Sequence, residues 1–190
     1  MLPKLPANQG FAAEGASRVR SLIAGILGAA VLLAAGTARA AEDWSYLALG
    51  IGQYDVFQND DTAVDFSVEY RARKFWILRP KLGAEFTTDG AVYGYGGLHF
   101  DIPLGTKFLF SFGSAVGYYE EGDGKDLGSE IEFKSVVELL YQFSNGPRVG
   151  LQLSHLSNAG IGDKNPGTEV LSLIYAFPLG RGDTGSSARR

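Results

Sequence analysis

Residues 130–143 read EIEFKSVVELLYQF, a run in which side chains of opposite character alternate. A period of two residues is typical of a β-strand whose two faces meet different environments. The charged face is too polar for a core, and the opposite face is too continuously apolar and aromatic for water. The apolar face carries Ile131, Phe133, Val137, Leu139, Tyr141 and Phe143, and the polar face carries Glu130, Glu132, Lys134, Glu138 and Gln142.

The same alternation recurs from Trp44 onward, most clearly in residues 63–71 and 76–87. Turn signals rich in Gly, Asn, Asp and Pro separate the apolar runs. Longer polar loops alternate with short turns, as they do in outer-membrane barrels. The pattern predicts eight strands at about 44–54, 63–71, 76–88, 91–101, 107–119, 129–143, 148–157 and 168–178.

The predicted fold is an all-β, eight-stranded antiparallel transmembrane β-barrel over residues 41–180. A closed sheet leaves no backbone group unpaired in lipid, and eight strands enclose a lumen that side chains can fill. The alternative is a soluble lipocalin-like barrel with the apolar face inside. The number of charged residues on one face favours the membrane barrel. The charged residues expected to pair in the lumen are Asp65, Glu69, Arg71, Arg79, Lys81, Glu85, Glu132, Lys134 and Glu138.

The two ends of the chain differ from the barrel in composition. Arg18 and Arg20 precede an apolar run over residues 22–35, and Ala38-Arg39-Ala40 is a pattern that signal peptidase cleaves. Residues 1–40 are therefore predicted to be a signal peptide, with an N-terminal membrane anchor as the alternative. Residues 181–190 are predicted to be a disordered tail. The expected location is the bacterial outer membrane.

Composition restricts the chemistry that this chain can perform. Cysteine is absent, which excludes disulfides and thiolate nucleophiles. Two histidines, His99 and His155, are too few for a polyhistidine metal site, and no cofactor or metal is expected. The formal net charge of −4 argues against nucleic acid as a partner.

Polar residues on an apolar face mark the end of the seventh predicted strand. His155 and Ser157 alternate with inward residues there, and Glu169 lies on the apolar face of the next strand. Polar groups in this position are costly unless they have a function. Same-face neighbours on a strand are about 6–7 Å apart, so Ser157 can approach His155 while Glu169 holds the other imidazole nitrogen. This is the arrangement of a Ser-His-acid site, with Asn158, Gly160 and Asn165 as nearby amide donors for an oxyanion.

The run His155-Leu156-Ser157-Asn158-Ala159-Gly160, followed by Asn165-Pro166-Gly167-x-Glu169, resembles the signature of the lipid A 3-O-deacylases (the PagL family). These are eight-stranded outer-membrane barrels with a Ser-His-Glu triad on the outer wall. The resemblance implies that Ser157 is the nucleophile, His155 the general base and Glu169 the residue that orients it. The implied reaction is hydrolysis of the 3-O-linked 3-hydroxyacyl chain of lipid A, at a site facing the outer leaflet. The resemblance also implies Asn165 and the N–H of Gly160 as oxyanion donors, with Asn158 shaping the loop.

Two other functions stay open at this point. One is a non-enzymatic structural or adhesive barrel, and the other is a phospholipase or acyltransferase of the same leaflet. Lys125 and Lys164 are the candidates for binding lipid A phosphates, and His99 is expected at the membrane interface. Lipid A or lipopolysaccharide and outer-membrane lipid are the expected partners, and a homodimer is left open.

Overall fold

The computed structural model describes residues 44–181, which form one closed antiparallel β-barrel. Each strand pairs with the next, and β8 pairs with β1. No strand edge is left open, as a sheet in lipid requires. The eight-stranded barrel predicted from the alternation is confirmed. The strands are β1 (Trp44–Tyr54), β2 (Ala63–Arg71), β3 (Leu78–Thr87), β4 (Val92–Leu104), β5 (Phe108–Glu120), β6 (Ile131–Gln142), β7 (Arg148–Ser157) and β8 (Thr168–Arg181).

Within residues 44–181 there is no helix with the length and apolar character needed to cross a membrane.

The strand bounds differ from the prediction mainly at the turns. β3 begins at Leu78 because the backbones of Phe75 and Leu78 bond to each other in both directions around a tight turn, with Trp76 at a φ of 60°. β4 continues to Leu104, and β8 continues to Arg181, the first residue of the predicted tail. The predicted signal peptide and the remainder of the predicted tail lie outside the described residues.

The direction of the side chains follows the predicted alternation, with the charges inside. All nine charged residues that were expected in the lumen are buried. The outer wall exposes large apolar side chains instead, such as Phe66 (47% exposed), Leu82 (67%) and Leu151 (57%). This polarity excludes the lipocalin-like alternative, in which apolar residues would line the interior.

An ionic network centred on Arg71 occupies the lumen. Its guanidinium donates to Glu69 Oε1 at 2.6 Å and to both oxygens of Glu138 at 2.6 and 3.0 Å. Gln152 also donates to Glu138, at 2.7 Å. His99 lies in this network, 1% exposed, with Nε2 3.2 Å from Glu138 Oε2. The expectation that His99 is interfacial is therefore wrong, because its strand turns the imidazole inward, where a carboxylate is within reach.

The long connections lie together at one end of the barrel. They comprise residues 55–62, 121–130 and 158–167, together with the shorter connection 88–91. The turns 72–77, 105–107 and 143–147 lie at the opposite end. The end of β7 and the start of β8 therefore meet among the long loops, where the candidate catalytic residues were expected.

Candidate active site

The histidine and the glutamate of the predicted triad face each other on neighbouring strands. His155 of β7 pairs with Glu169 of β8 in the antiparallel register, and His155 Nδ1 is 3.0 Å from Glu169 Oε1. Their side chains are 48% and 20% exposed, which places the pair on the outer wall. An ionised carboxylate only accepts hydrogen bonds, so Nδ1 carries the proton of this bond. Nε2 of a neutral imidazole is then able to accept a proton.

The loop residue Gly167 lies against the imidazole ring. Its φ of 65° belongs to the left-handed region, and a Cβ atom here would be 2.9 Å from His155 Cε1 and 3.5 Å from Nε2. Thr168 pairs with Leu156, so Gly167 stands level with Ser157. The Cε1–Nε2 edge of the ring is therefore turned toward the end of β7 at which Ser157 lies.

Ser157 is the last residue of β7 and is partly exposed on the same wall as His155. It pairs with Phe133 of β6. Within residues 44–181 its hydroxyl makes no hydrogen bond. Ser157 and His155 thus share a face but are not hydrogen-bonded to each other here, and activation by a general base requires the hydroxyl to turn to within about 2.6–3.2 Å of His155 Nε2.

The loop after β7 is shaped by the fully buried side chain of Asn158. Its Nδ2 donates to the carbonyl oxygens of Leu127 at 2.9 Å and Lys164 at 2.7 Å. Its Oδ1 accepts the N–H of Gly160 at 2.8 Å. The Gly160 N–H, which was expected to bind an oxyanion, is therefore engaged by Asn158 in this arrangement.

Two donors near Ser157 have no partner within the described residues. One is Nδ2 of Asn165, whose Oδ1 accepts the backbone N–H of Asn158 at 3.1 Å. The other is the backbone N–H of Ala159, which has a φ of 55° that is costly for a residue with a side chain. These two groups are the donors that a developing oxyanion beside Ser157 could use.

Buried Asp55 connects the long loops around the site. Its Oδ1 accepts hydrogen bonds from Lys125 Nζ at 2.6 Å and Thr168 Oγ1 at 3.2 Å, and its Oδ2 accepts the N–H of Asp60 at 3.0 Å. Burial raises the pKa of Asp55, but the hydrogen bonds from Lys125 and from backbone N–H groups outweigh burial and hold this pKa below its ordinary value. Asp55 thus ties the loop after β5 to the residue that precedes Glu169. Nothing in the sequence marks it, because an acid in a polar loop usually points into solvent.

The two lysines proposed for lipid A phosphates are both paired. Lys125 is 7% exposed and donates to Asp55, so its ammonium group is already bound in a buried ion pair. Lys164 Nζ is 2.5 Å from Asp126 Oδ2, and both side chains are about half exposed. This hydrogen bond, with one from the N–H of Gly128, lowers the pKa of Asp126. Lys164 would have to leave Asp126 in order to bind a phosphate.

The three candidate residues are partly exposed on the outer wall of the barrel. A cleft of about 270 Å³ lies at the loop after β5, where Tyr119 and Glu130 are among its lining residues, and it contains none of the three. A molecule that reaches Ser157 must therefore come from the medium that surrounds the barrel.

Comparison with known proteins finds similarity to lipid A deacylases. Residues 62–178 match the family model described as Lipid A 3-O-deacylase (PagL). The lipid A deacylase PagL of Pseudomonas aeruginosa is 38% identical over 55 residues, which are 29% of this chain and 32% of that protein. The lipid A deacylase PagL of Bordetella bronchiseptica is 30% identical over 109 residues, which are 53% of this chain and 61% of that protein. The chain spans less than two thirds of the length of either relative.

Solved structures with the same architecture include the crystal structure of the outer membrane enzyme PagL. It superposes with a TM-score of 0.52 at 21% identity, covering 70% of this chain and 99% of that chain. Neisserial surface protein A superposes with a TM-score of 0.53 at 8% identity, covering 72% of this chain and 96% of that one. At these identities the likeness concerns the fold alone.

Proposed function

Because this chain belongs to the lipid A 3-O-deacylase family, whose model it matches over residues 62–178, we propose that it is an esterase of the outer membrane. Its substrate is lipid A, from which it removes the 3-O-linked 3-hydroxyacyl chain through Ser157, His155 and Glu169. The observation that carries the proposal is the 3.0 Å contact between His155 Nδ1 and Glu169 Oε1 on a wall whose large exposed side chains are apolar.

The proposed reaction begins when Ser157 Oγ attacks the ester carbonyl carbon and His155 Nε2 takes its proton. Glu169 accepts the Nδ1 proton in a hydrogen bond throughout and stabilises the imidazolium without becoming protonated itself. The C–O bond to the sugar breaks, the imidazolium protonates the departing sugar oxygen, and an acyl-Ser157 ester remains. His155 then deprotonates a water molecule that attacks this ester, which releases the 3-hydroxy fatty acid and restores the Ser157 hydroxyl.

The negative charge that develops on the carbonyl oxygen needs donors aimed at it. Asn165 Nδ2 is the side-chain donor in this proposal, because its amide oxygen already holds the N–H of Asn158. The N–H of Ala159 is the backbone donor that needs no rearrangement. The N–H of Gly160 joins only if it releases Asn158 Oδ1.

The test is mass spectrometry of lipid A from cells that express the wild type, Ser157→Ala or Ser154→Ala. Ser154 is the matched control, because it lies on the same strand, is 1% exposed in the lumen and has an Oγ without a hydrogen-bond partner. The wild type and Ser154→Ala should remove one 3-hydroxyacyl chain, while Ser157→Ala should be slower by at least about 10³-fold. Heat-dependent gel mobility would report whether each barrel is folded.

Deacylation by folded Ser157→Ala at the wild-type rate would overturn the assignment of the nucleophile. Purified wild type in detergent micelles that leaves lipid A intact would overturn the proposed reaction. In that case, cleavage of phospholipid would indicate a phospholipase, and no cleavage of either lipid would indicate a non-enzymatic barrel.

A further inference from the structure

The outer wall beside the candidate triad carries two exposed serines among the apolar outward-facing residues of their strands. Ser135 of β6 and Ser114 of β5 both point outward. Their nearest outward neighbours on the same strands are large apolar side chains: Phe133, Val137, Phe112 and Val116. A hydroxyl in such surroundings loses hydration and gains nothing unless it finds a hydrogen-bond partner.

The strand register places these serines in line with the triad. Ser114 pairs with Ser135, Ser135 pairs with His155, and His155 pairs with Glu169. Polar side chains therefore form one row across four neighbouring strands. Residues paired in this way have Cβ atoms about 4.5–5.5 Å apart, so Ser135 is in the range of direct contact with any group bound at His155.

The imidazole does not use the hydroxyl of Ser135. Nδ1 of His155 is directed to Glu169 on the opposite side, and the Cε1–Nε2 edge faces Gly167 at the level of Ser157. Within the described residues, Ser135 Oγ makes no hydrogen bond. Its hydroxyl is therefore available to a bound molecule.

We propose that Ser135 is a specificity-determining residue that hydrogen-bonds the 3-hydroxyl group of the acyl chain under attack. The proposal rests on the proposed function, and it identifies the 3-hydroxyl group as the feature by which the enzyme recognises the acyl chain that it cleaves. A serine hydroxyl can donate and accept, which matches a substrate hydroxyl. The enzyme should accordingly prefer 3-hydroxyacyl esters to esters of unsubstituted fatty acids.

The distances are compatible with this contact. Diagonal neighbours on paired strands, such as Ser135 and Ser157, are about 7–8 Å apart. An attacking oxygen lies about 3–3.5 Å from the carbonyl carbon, the 3-hydroxyl oxygen is three covalent bonds further along the chain, and an O–H···O bond adds about 2.7–2.8 Å. A bent path of these steps spans the gap. Ser114 lies two strand spacings, about 9–10 Å, from the strand of Ser157 and is offset by about 6–7 Å along it, so it is beyond this reach.

The experiment uses the purified full chain in detergent micelles with two synthetic lipid A analogues. They are identical except that the ester at position 3 carries either a 3-hydroxyacyl chain or the unsubstituted chain of the same length. The ratio of kcat/KM values for the two esters is measured for the wild type, Ser135→Ala, Ser135→Thr and Ser114→Ala. We expect the wild type to prefer the hydroxylated ester and Ser135→Ala to reduce that preference by about three- to tenfold. Ser135→Thr, which retains a hydroxyl, and Ser114→Ala should keep the wild-type ratio.

Three outcomes would overturn the inference. A wild type that cleaves both esters equally well shows no selection of the hydroxyl. A Ser135→Ala variant that slows both esters equally shows a contact to a part common to both, such as the sugar. In either case the proposed esterase activity stands. A folded wild type that cleaves neither ester removes the proposed function together with the inference.

Discussion

A single glycine fixes the orientation of the proposed general base. Gly167 combines a left-handed φ of 65° with a Cβ position only 2.9 Å from His155 Cε1. The substitution Gly167→Ala should therefore push the imidazole away from Ser157. Because misplacement by about 1 Å can cost about 10²-fold in rate, we expect kcat for ester hydrolysis to fall at least about tenfold. Steady-state kinetics of the folded variant in micelles would measure this.

The left-handed backbone at position 167 is itself costly for alanine, so Gly167→Ala should also lower the stability of the fold. The matched control is Gly105→Ala in the turn between β4 and β5, because Gly105 has a φ of 72° and a Cβ there would have no atom within 4 Å. Both variants should lose about 1–2 kcal/mol of stability. Only Gly167→Ala should lose activity, and equal activity of the two variants would contradict the steric role.

Not every residue could be placed from the sequence. Alternation predicts that His155 and Glu169 share the outer face, and they do; their roles in catalysis stay a prediction. His99 was misplaced because glycines at positions 94, 96 and 97 interrupt the alternation of its strand. A glycine carries no side chain, so the pattern no longer tells which face is inward. Hydrogen bonds that depend on loop shape, such as that of Gly160 to Asn158, leave no signal in the sequence at all.

At the scale of elements, Asp55 determines how the long loops meet β8. Its carboxylate holds Lys125 and Thr168, and the N–H of Val56 donates to the carbonyl of Glu169 at 3.1 Å. Asp55→Asn leaves the ammonium group of Lys125 without its anion. Breaking a buried pair costs about 3 kcal/mol or more, so we expect lower thermal stability and lower kcat. Asp123→Asn, which changes an exposed acid in the loop after β5, is the control and should leave both unchanged.

The contribution of Asp55 to stability should depend on pH with a definite sign. Since the pKa of Asp55 is lowered in the folded protein, its carboxylate stabilises the fold at any pH above the unfolded value of about 3.9. The stability difference between wild type and Asp55→Asn should be constant at neutral pH and shrink as the pH falls below about 4. Thermal unfolding in micelles across this range would measure it. A difference that grew on acidification would contradict the assignment.

The strand bounds could be predicted from the sequence where turn-forming residues flank the strand. β1, β2 and β7 begin and end where the alternation predicts. The start of β3 was placed two residues early, because Trp76 continues the apolar pattern but has a left-handed backbone. The alternation reports only the polarity of the side chains, whereas a turn depends on the conformation of the backbone.

Across the whole molecule, polarity is arranged inside out relative to a soluble barrel. A period of two residues distinguishes two faces but does not say which one is the interior. The number of charges on one face suggested that this face lines the lumen, and the burial of Arg71, Lys134 and Glu138 confirms it. What the sequence could not supply is the set of partners, since Arg71 and Glu138 are 67 positions apart and meet across the barrel.

The lumen network should therefore carry much of the stability while having no part in the proposed chemistry. Arg71→Met removes the guanidinium that binds Glu69 and Glu138, which leaves buried carboxylates short of a cation. We expect a loss of about 3–5 kcal/mol in unfolding experiments in micelles. Adding Glu138→Gln should recover part of this loss, because the second substitution removes a buried charge.

Arg73→Met, an exposed change in the next turn, should alter stability by less than about 0.5 kcal/mol. Ester hydrolysis per folded molecule should stay at the wild-type rate in all three variants, since Ser157 and His155 lie on the other side of the sheet. Equal stability of the Arg71 and Arg73 variants would mean that closure of the sheet and packing of the aromatic side chains hold the barrel, and that the ionic network adds nothing.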